Sequence, residues 1–257
     1  MQLRFQRIQN HLNSIERMSR LLRSEFESCM TVFVPEGVQK STQVTTSVNK
    51  FLESGTEISS LVVQPYDPFF PGLWVGLDQE IGGSHVVISA RRRVYRSPTG
   101  NEPLVSRLSV HPIFPLAEKP RWVTLETVVD LNSLRGAASL DVHLVSFLDI
   151  GIRKTVEIPN RFNINFRIES KGGDADVFRH SVPVTTLPFE SSIHIAGSGV
   201  KTLTADGVTN VTCIIELPLS GDYVFNLDSF QIIANEARSR CVYYMYRMRR
   251  RYIRREG

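Results

Sequence analysis

The chain has 257 residues, of which 42% are hydrophobic and 22% charged, and its formal net charge is +4. This is ordinary globular composition and excludes a disordered chain. No run is long and apolar enough for a spanning helix, and the three distant cysteines (Cys29, Cys213 and Cys241) form neither a zinc pattern nor a disulfide framework. A reducing, intracellular setting is expected.

Residues 2–27 have the spacing of an amphipathic helix. Phe5, Ile8, Leu12, Ile15, Leu22 and Phe26 form its apolar stripe. That stripe suits packing on the body, self-association with a partner subunit, or contact with an anionic membrane. Arg4 and Arg7 interrupt any signal-peptide core. Met30 to Val34 is a short apolar strand, whereas residues 38–60 do not decide between strand and helix.

Leu61 to Val63 is a strand. The proline-rich stretch from Pro65 to Gly72 is a loop or sheet edge, because proline donates nothing to a ladder. Phe69, Phe70 and Trp74 beside it are expected to plug one end of the core, or to make a subunit contact. His85 to Tyr95 is the next strand. Its run Arg91, Arg92 and Arg93 suits either a charged edge strand or a phosphate or lipid-headgroup contact. Strands follow at 104–110 and 122–129. Asn132 to Ala138, with Gly136, is the expected domain boundary.

After it, strands are expected at 140–148, 155–158 and 161–169. The last is the clearest in the chain. Phe162, Ile164, Phe166 and Ile168 alternate with polar residues, which sorts the two sets onto opposite faces. Further strands are expected at 177–184, 191–196, 200–204, 208–217 and 222–226. Asp228 is expected to cap a helix from Ser229, striped by Phe230, Ile233, Ala237, Cys241, Tyr244, Met248 and Tyr252. The last fifteen residues also alternate well enough for a strand, and the choice stays open there.

Many short strands between Gly and Pro turns argue for a mainly β, antiparallel β-sandwich. The expected layout is an N-terminal helix over 1–27, one sandwich domain over 28–131, a second over 139–227, and a basic C-terminal segment over 228–257.

No nucleophile elbow, phosphate-cradling loop or zinc helix occurs, and Gly197-Ser-Gly199 is too short for a nucleotide loop. Asp141 and His143 share a strand face, but two residues make a weak catalytic or metal signal. His180 and His194 have no partner nearby in sequence. We therefore expect no catalytic residue, metal, cofactor or small-molecule substrate.

Charge gives the stronger functional signal. Arg238, Arg240, Arg247, Arg249, Arg250, Arg251, Arg254 and Arg255 crowd the C-terminal end without an acid among them. Tyrosines interleave with them. Arginine forks suit phosphates, and tyrosines suit bases or a membrane interface. Together with Arg91, Arg92 and Arg93, these residues are expected to bind a polyanion, either nucleic acid or anionic lipid.

Two segments carry a family resemblance. Met30-Thr-Val-Phe-Val-Pro35 and the segment Lys154 to Ser170, with its Ile158-Pro159 corner before a strand, resemble matrix proteins of negative-strand RNA viruses of pneumovirus and paramyxovirus type. That resemblance implies two sandwich domains, self-association as a homo-oligomer, and contacts to anionic membrane and nucleocapsid. It also implies a place in the virion and host cytoplasm. The alternative is a jelly-roll capsid or plant-virus movement protein that binds single-stranded nucleic acid. In that case Leu148-Asp149 would stand for the aspartate motif.

Overall fold

In a computed structural model, the described residues are 41–78, 83–94, 104–114, 120–150, 159–219 and 221–236. All belong to the unit that begins at Lys40. Thirteen strands form two antiparallel sheets. The first joins β11 (Phe189–Ala196), β8 (Ala137–Ile150), β13 (Tyr223–Glu236), β6 (Leu104–Ile113), β5 (His85–Val94) and β2 (Ile58–Val63), with β1 (Ser41–Val44) also paired to β13. The second runs β10 (Gly173–Pro183), β9 (Arg161–Ser170), β12 (Val208–Glu216), β7 (Val123–Val129), β4 (Leu73–Leu77) and β3 (Pro68–Phe70).

The sheets bury their inner faces in one core. On β9 the alternation works as read: Phe162, Ile164, Phe166 and Ile168 are all buried. Phe162 meets Phe225 of the other sheet edge-on, with ring centroids 5.3 Å apart. Each such side chain contributes about 1.5–3 kcal/mol through burial. Helix α1 (Ser47–Glu53) packs on β6 and β13 of one sheet and β7 of the other. Thr46 caps it by accepting from Asn49 N, and Val48, Phe51 and Leu52 are buried at helical spacing. The Phe51 ring lies edge-on to Phe69 and Phe70, at 5.8 and 5.3 Å. Two short helices, α2 (Leu131–Leu134) and α3 (Ser198–Leu203), complete the described elements.

Several expectations are corrected here. Residues 132–138 do not divide two sandwich domains. Both sheets take strands from either side of that segment, so the described residues of the two expected domains share one core. A helix does not begin at Ser229. Instead β13 continues to Glu236, because Phe230, Ile232 and Ala234 alternate into the core while β8 and β1 supply ladder partners. Asp228 sits at a register shift between Leu227 and Ser229. Residues 200–204 are not a strand: Val200 and Leu203, three apart, are the buried pair of α3. The strand β4 escaped notice because Gly76 breaks its pattern. Residues 1–27, Met30 to Val34, 155–158 and 237–257 lie outside the described residues. Among the described residues, no helix is long and apolar enough to cross a membrane.

Candidate binding groove

The outer face of the second sheet carries polar side chains in register. Across β10, β9, β12, β7 and β4 one row reads Arg179, Asn165, Ile214, Glu126, Trp74. The next row reads Ser181, Asn163, Glu216, Thr124, Gly76. Directly opposed side chains on one face are contact neighbours, so these rows make a mainly polar floor, with Ile214 as its apolar member. A groove of about 580 Å³ lies over it, within the range of small-ligand sites.

Two carboxylates anchor the floor, and each is held by donors from its own sheet. Glu126, although 4% exposed, accepts from Thr124 Oγ1 at 2.7 Å and from Trp74 Nε1 at 3.1 Å. The Arg167 guanidinium stands 3.8 Å from it. Glu216 accepts from Asn163 Nδ2 at 3.0 Å, from Asn165 Nδ2 at 2.8 Å, and from Arg179 Nη2. The Asn165 amide oxygen, Oδ1, is buried and has no hydrogen-bond partner.

The far end is aromatic. The rings of Tyr66 and Trp122 lie 6.0 Å apart, tilted by 50°. Tyr66 is 49% exposed and has φ of +66°, a conformation an aromatic residue rarely adopts. Its backbone N–H donates to Val75 O at 2.8 Å, which ties the turn to β4. Burial raises the Tyr66 phenol above its ordinary value. The Glu126 and Asp78 carboxylates push the same way, against Arg167. Beside Trp122, Arg121 donates to the buried Asp78 carboxylate from both its backbone N and Nε, at 3.0 Å each. Gly76 lets the Thr124 and Glu126 side chains approach the β4 backbone closely. A Cβ there would lie 2.3 Å from Thr124 Oγ1, 2.8 Å from Glu126 Oε1 and 3.4 Å from Tyr66 Cε1.

The residues expected to bind polyanions or partners lie elsewhere. The eight arginines from Arg238 to Arg255, and the stripe Phe5, Ile8, Leu12, Ile15, Leu22 and Phe26, are outside the described residues. Arg91, Arg92 and Arg93 do not sit on an edge strand, because β5 lies between β2 and β6. The β2 register ends at Ala90, and the three arginines pair only along β6. Arg92 Nε donates to Gly55 O at 2.8 Å, and Glu57 lies 3.9 Å away. Trp74 is not part of the core plug: it faces outward, and only Phe69 and Phe70 pack on Phe51.

Asp141 does find a histidine, but not His143. Its partner is His194 on β11, with Nδ1 2.6 Å from Oδ1, while Asn235 Nδ2 donates to Oδ2 at 2.7 Å. This cluster is on the outer face of the other sheet. Among the described residues no group of His, Cys, Asp or Glu is placed to hold a metal ion. Cys213 is fully buried, which pushes its thiol far up. His180 stacks on Phe178, with centroids 6.1 Å apart.

No protein-family model and no curated protein matches the chain. Among solved structures it is similar to a CBM4 protein, at 14% identity over 72% of this chain and 99% of that one, with a TM-score of 0.40. It is also similar to an apo-form cyclase from Fischerella sp., at 10% identity, 77% and 98% coverage and a TM-score of 0.43. A third is the family 11 carbohydrate-binding module of the cellulosomal cellulase Lic26A-Cel5E of Clostridium thermocellum, at 12% identity, 71% and 98% coverage and a TM-score of 0.36.

The expected viral assembly role, of matrix type or as a capsid or movement protein, is corrected at this point. Among the described residues, strands from both halves interleave in one sandwich, which is not the two-half body that the matrix resemblance implied.

Proposed function

We propose that this is a non-catalytic binding protein that holds a polyhydroxylated ligand, an oligosaccharide segment, in the groove of the second sheet. The observation that carries the reading is the polar floor with the Tyr66–Trp122 pair at its end. A sugar ring has an apolar C–H face and a rim of hydroxyls. Aromatic rings suit the face, while fixed carboxylate, amide and guanidinium groups suit the rim. Floor groups locked by one another are preorganised, which lowers the entropic cost of binding. Tyr66, held at φ of +66°, fits the same reading, since backbone strain of about 1–3 kcal/mol gathers at ligand sites.

Because Glu126 and Glu216 are both engaged by neighbours, we assign them to holding the floor, not to proton transfer. Electrophoresis through gels containing a panel of soluble polysaccharides tests the proposal. The protein is expected to be retarded by at least one of them, with retardation lost in Tyr66→Ala and Trp122→Ala. A wild type that runs freely in every gel, or variants as retarded as wild type, would overturn it.

A further inference from the structure

The charged groups of the groove are not evenly matched. Glu216 is saturated by two amides and Arg179, and Glu126 by Trp74 and Thr124 with Arg167 beside it. Asp78 is taken by Arg121. Three carboxylates thus face three guanidiniums. A fourth, Arg161 at the start of β9, also lines the groove. It is exposed and has no carboxylate partner among the described residues. Among the described residues the floor therefore carries one positive charge in excess, and a guanidinium offers five N–H donors but no acceptor.

Resting on the reading above, we infer that the groove selects acidic sugars, with a ligand carboxylate or sulfate forked by Arg161 while a neighbouring ring lies on Tyr66 and Trp122. Planar guanidinium matches a carboxylate in two parallel hydrogen bonds, and such charge-assisted bonds are about twice as strong as neutral ones. Asn165, whose buried Oδ1 has no hydrogen-bond partner, is another of the residues lining the same groove. A uronic acid brings a carboxylate and a sugar ring in one residue. A plain anion brings no ring for Tyr66 and Trp122, and a neutral sugar leaves Arg161 unmatched.

Titration calorimetry on the full chain with matched pairs of oligosaccharides tests this. The pairs are galacturonate with galactose, glucuronate with glucose, and mannuronate with mannose tetramers. At least one acidic member is expected to bind about tenfold or more tightly than its neutral counterpart, with a preference that shrinks as salt rises. Arg161→Ala is expected to bring that ratio close to one, and Arg161→Lys to leave part of it. Equal affinity within every pair would sink the acidic preference while leaving the groove reading intact. An acidic preference that survives Arg161→Ala would overturn the assignment. Competition by inorganic sulfate as strong as by the oligosaccharide would reduce the site to a simple anion site. Binding of no member of any pair would remove both readings together.

Discussion

Gly76→Ala puts the groove floor to a test in which the sign of the effect decides. The glycine lies in β4 and is not among the residues of positive φ, so its backbone suits an L residue. On conformational grounds alone alanine would stabilise by about 0.4–1 kcal/mol, because the unfolded chain loses freedom. The structure predicts the reverse. The new Cβ would lie 2.3 Å from Thr124 Oγ1 and 2.8 Å from Glu126 Oε1, and both atoms must shift.

Thr124 is 7% exposed and its hydroxyl is committed to Glu126. Turning it away breaks a hydrogen bond to a carboxylate, worth about 1.5–3 kcal/mol. The net expectation is destabilisation of about 1–2 kcal/mol. Urea unfolding followed by circular dichroism measures it as a lower midpoint at unchanged slope. On a Thr124→Ala background the same change should cost less, since the nearest obstacle is gone, and the double-mutant cycle reads the difference. A midpoint that rises in the single variant would refute the reasoning, as would equal costs on both backgrounds.

Two further outcomes follow from buried polar groups. Arg107 forks the Asp228 carboxylate at 2.6 and 3.2 Å and stacks over Phe147 at 4.5 Å. Arg107→Ala should cost about 3 kcal/mol, near the low end for a broken buried pair, because Asp228 keeps a further partner. Chemical denaturation would show this, and Asp228→Asn on top should recover part of it. Burial also pushes the Tyr223 phenol far above its ordinary value of 10.0, where its hydroxyl donates to Pro218 O. The folded state therefore holds that proton after the unfolded state has released it. Its contribution is complete below about pH 10 and falls as pH rises through the folded value. Stability measured from pH 9 to pH 12 should decline, and Tyr223→Phe should decline less steeply.

The inner side of the fold was easier to read than its outer side. Phe162, Ile164, Phe166 and Ile168 declared β9 because burial enforces a strict period of two. Phe230, Ile233 and Ala237 misled, since a stripe of that spacing is also met by a strand with an extra apolar residue, and only the ladders to β8 and β1 decide it. The expected domain boundary failed for a related reason. A turn with Gly136 is visible locally, but which sheet the next strand joins is set by pairing at long range.

The groove was hidden more deeply. Asn163, Asn165 and Arg167 were legible as the polar face of β9. That they lie beside Glu216, and that Glu126 meets Trp74, depends on register across four strands, which no local pattern encodes. Gly76 and Tyr66 gave only a weak signal, a small residue in an apolar run and an aromatic beside prolines.

The row from Trp74 to Arg179 has a thermodynamic corollary. Its members are contributed by five separate strands, so the cleft comes into being only when the whole sheet has closed. No fragment of the chain carries it, and a guest lying across the row acts as a clamp on all five. Occupancy at a hundredfold excess over the dissociation constant would add about 2.7 kcal/mol to the resistance of the entire sandwich against melting. Thermal shift is thus a direct way to search for the guest, since the molecule that fits should reveal itself by protecting strands far from where it touches.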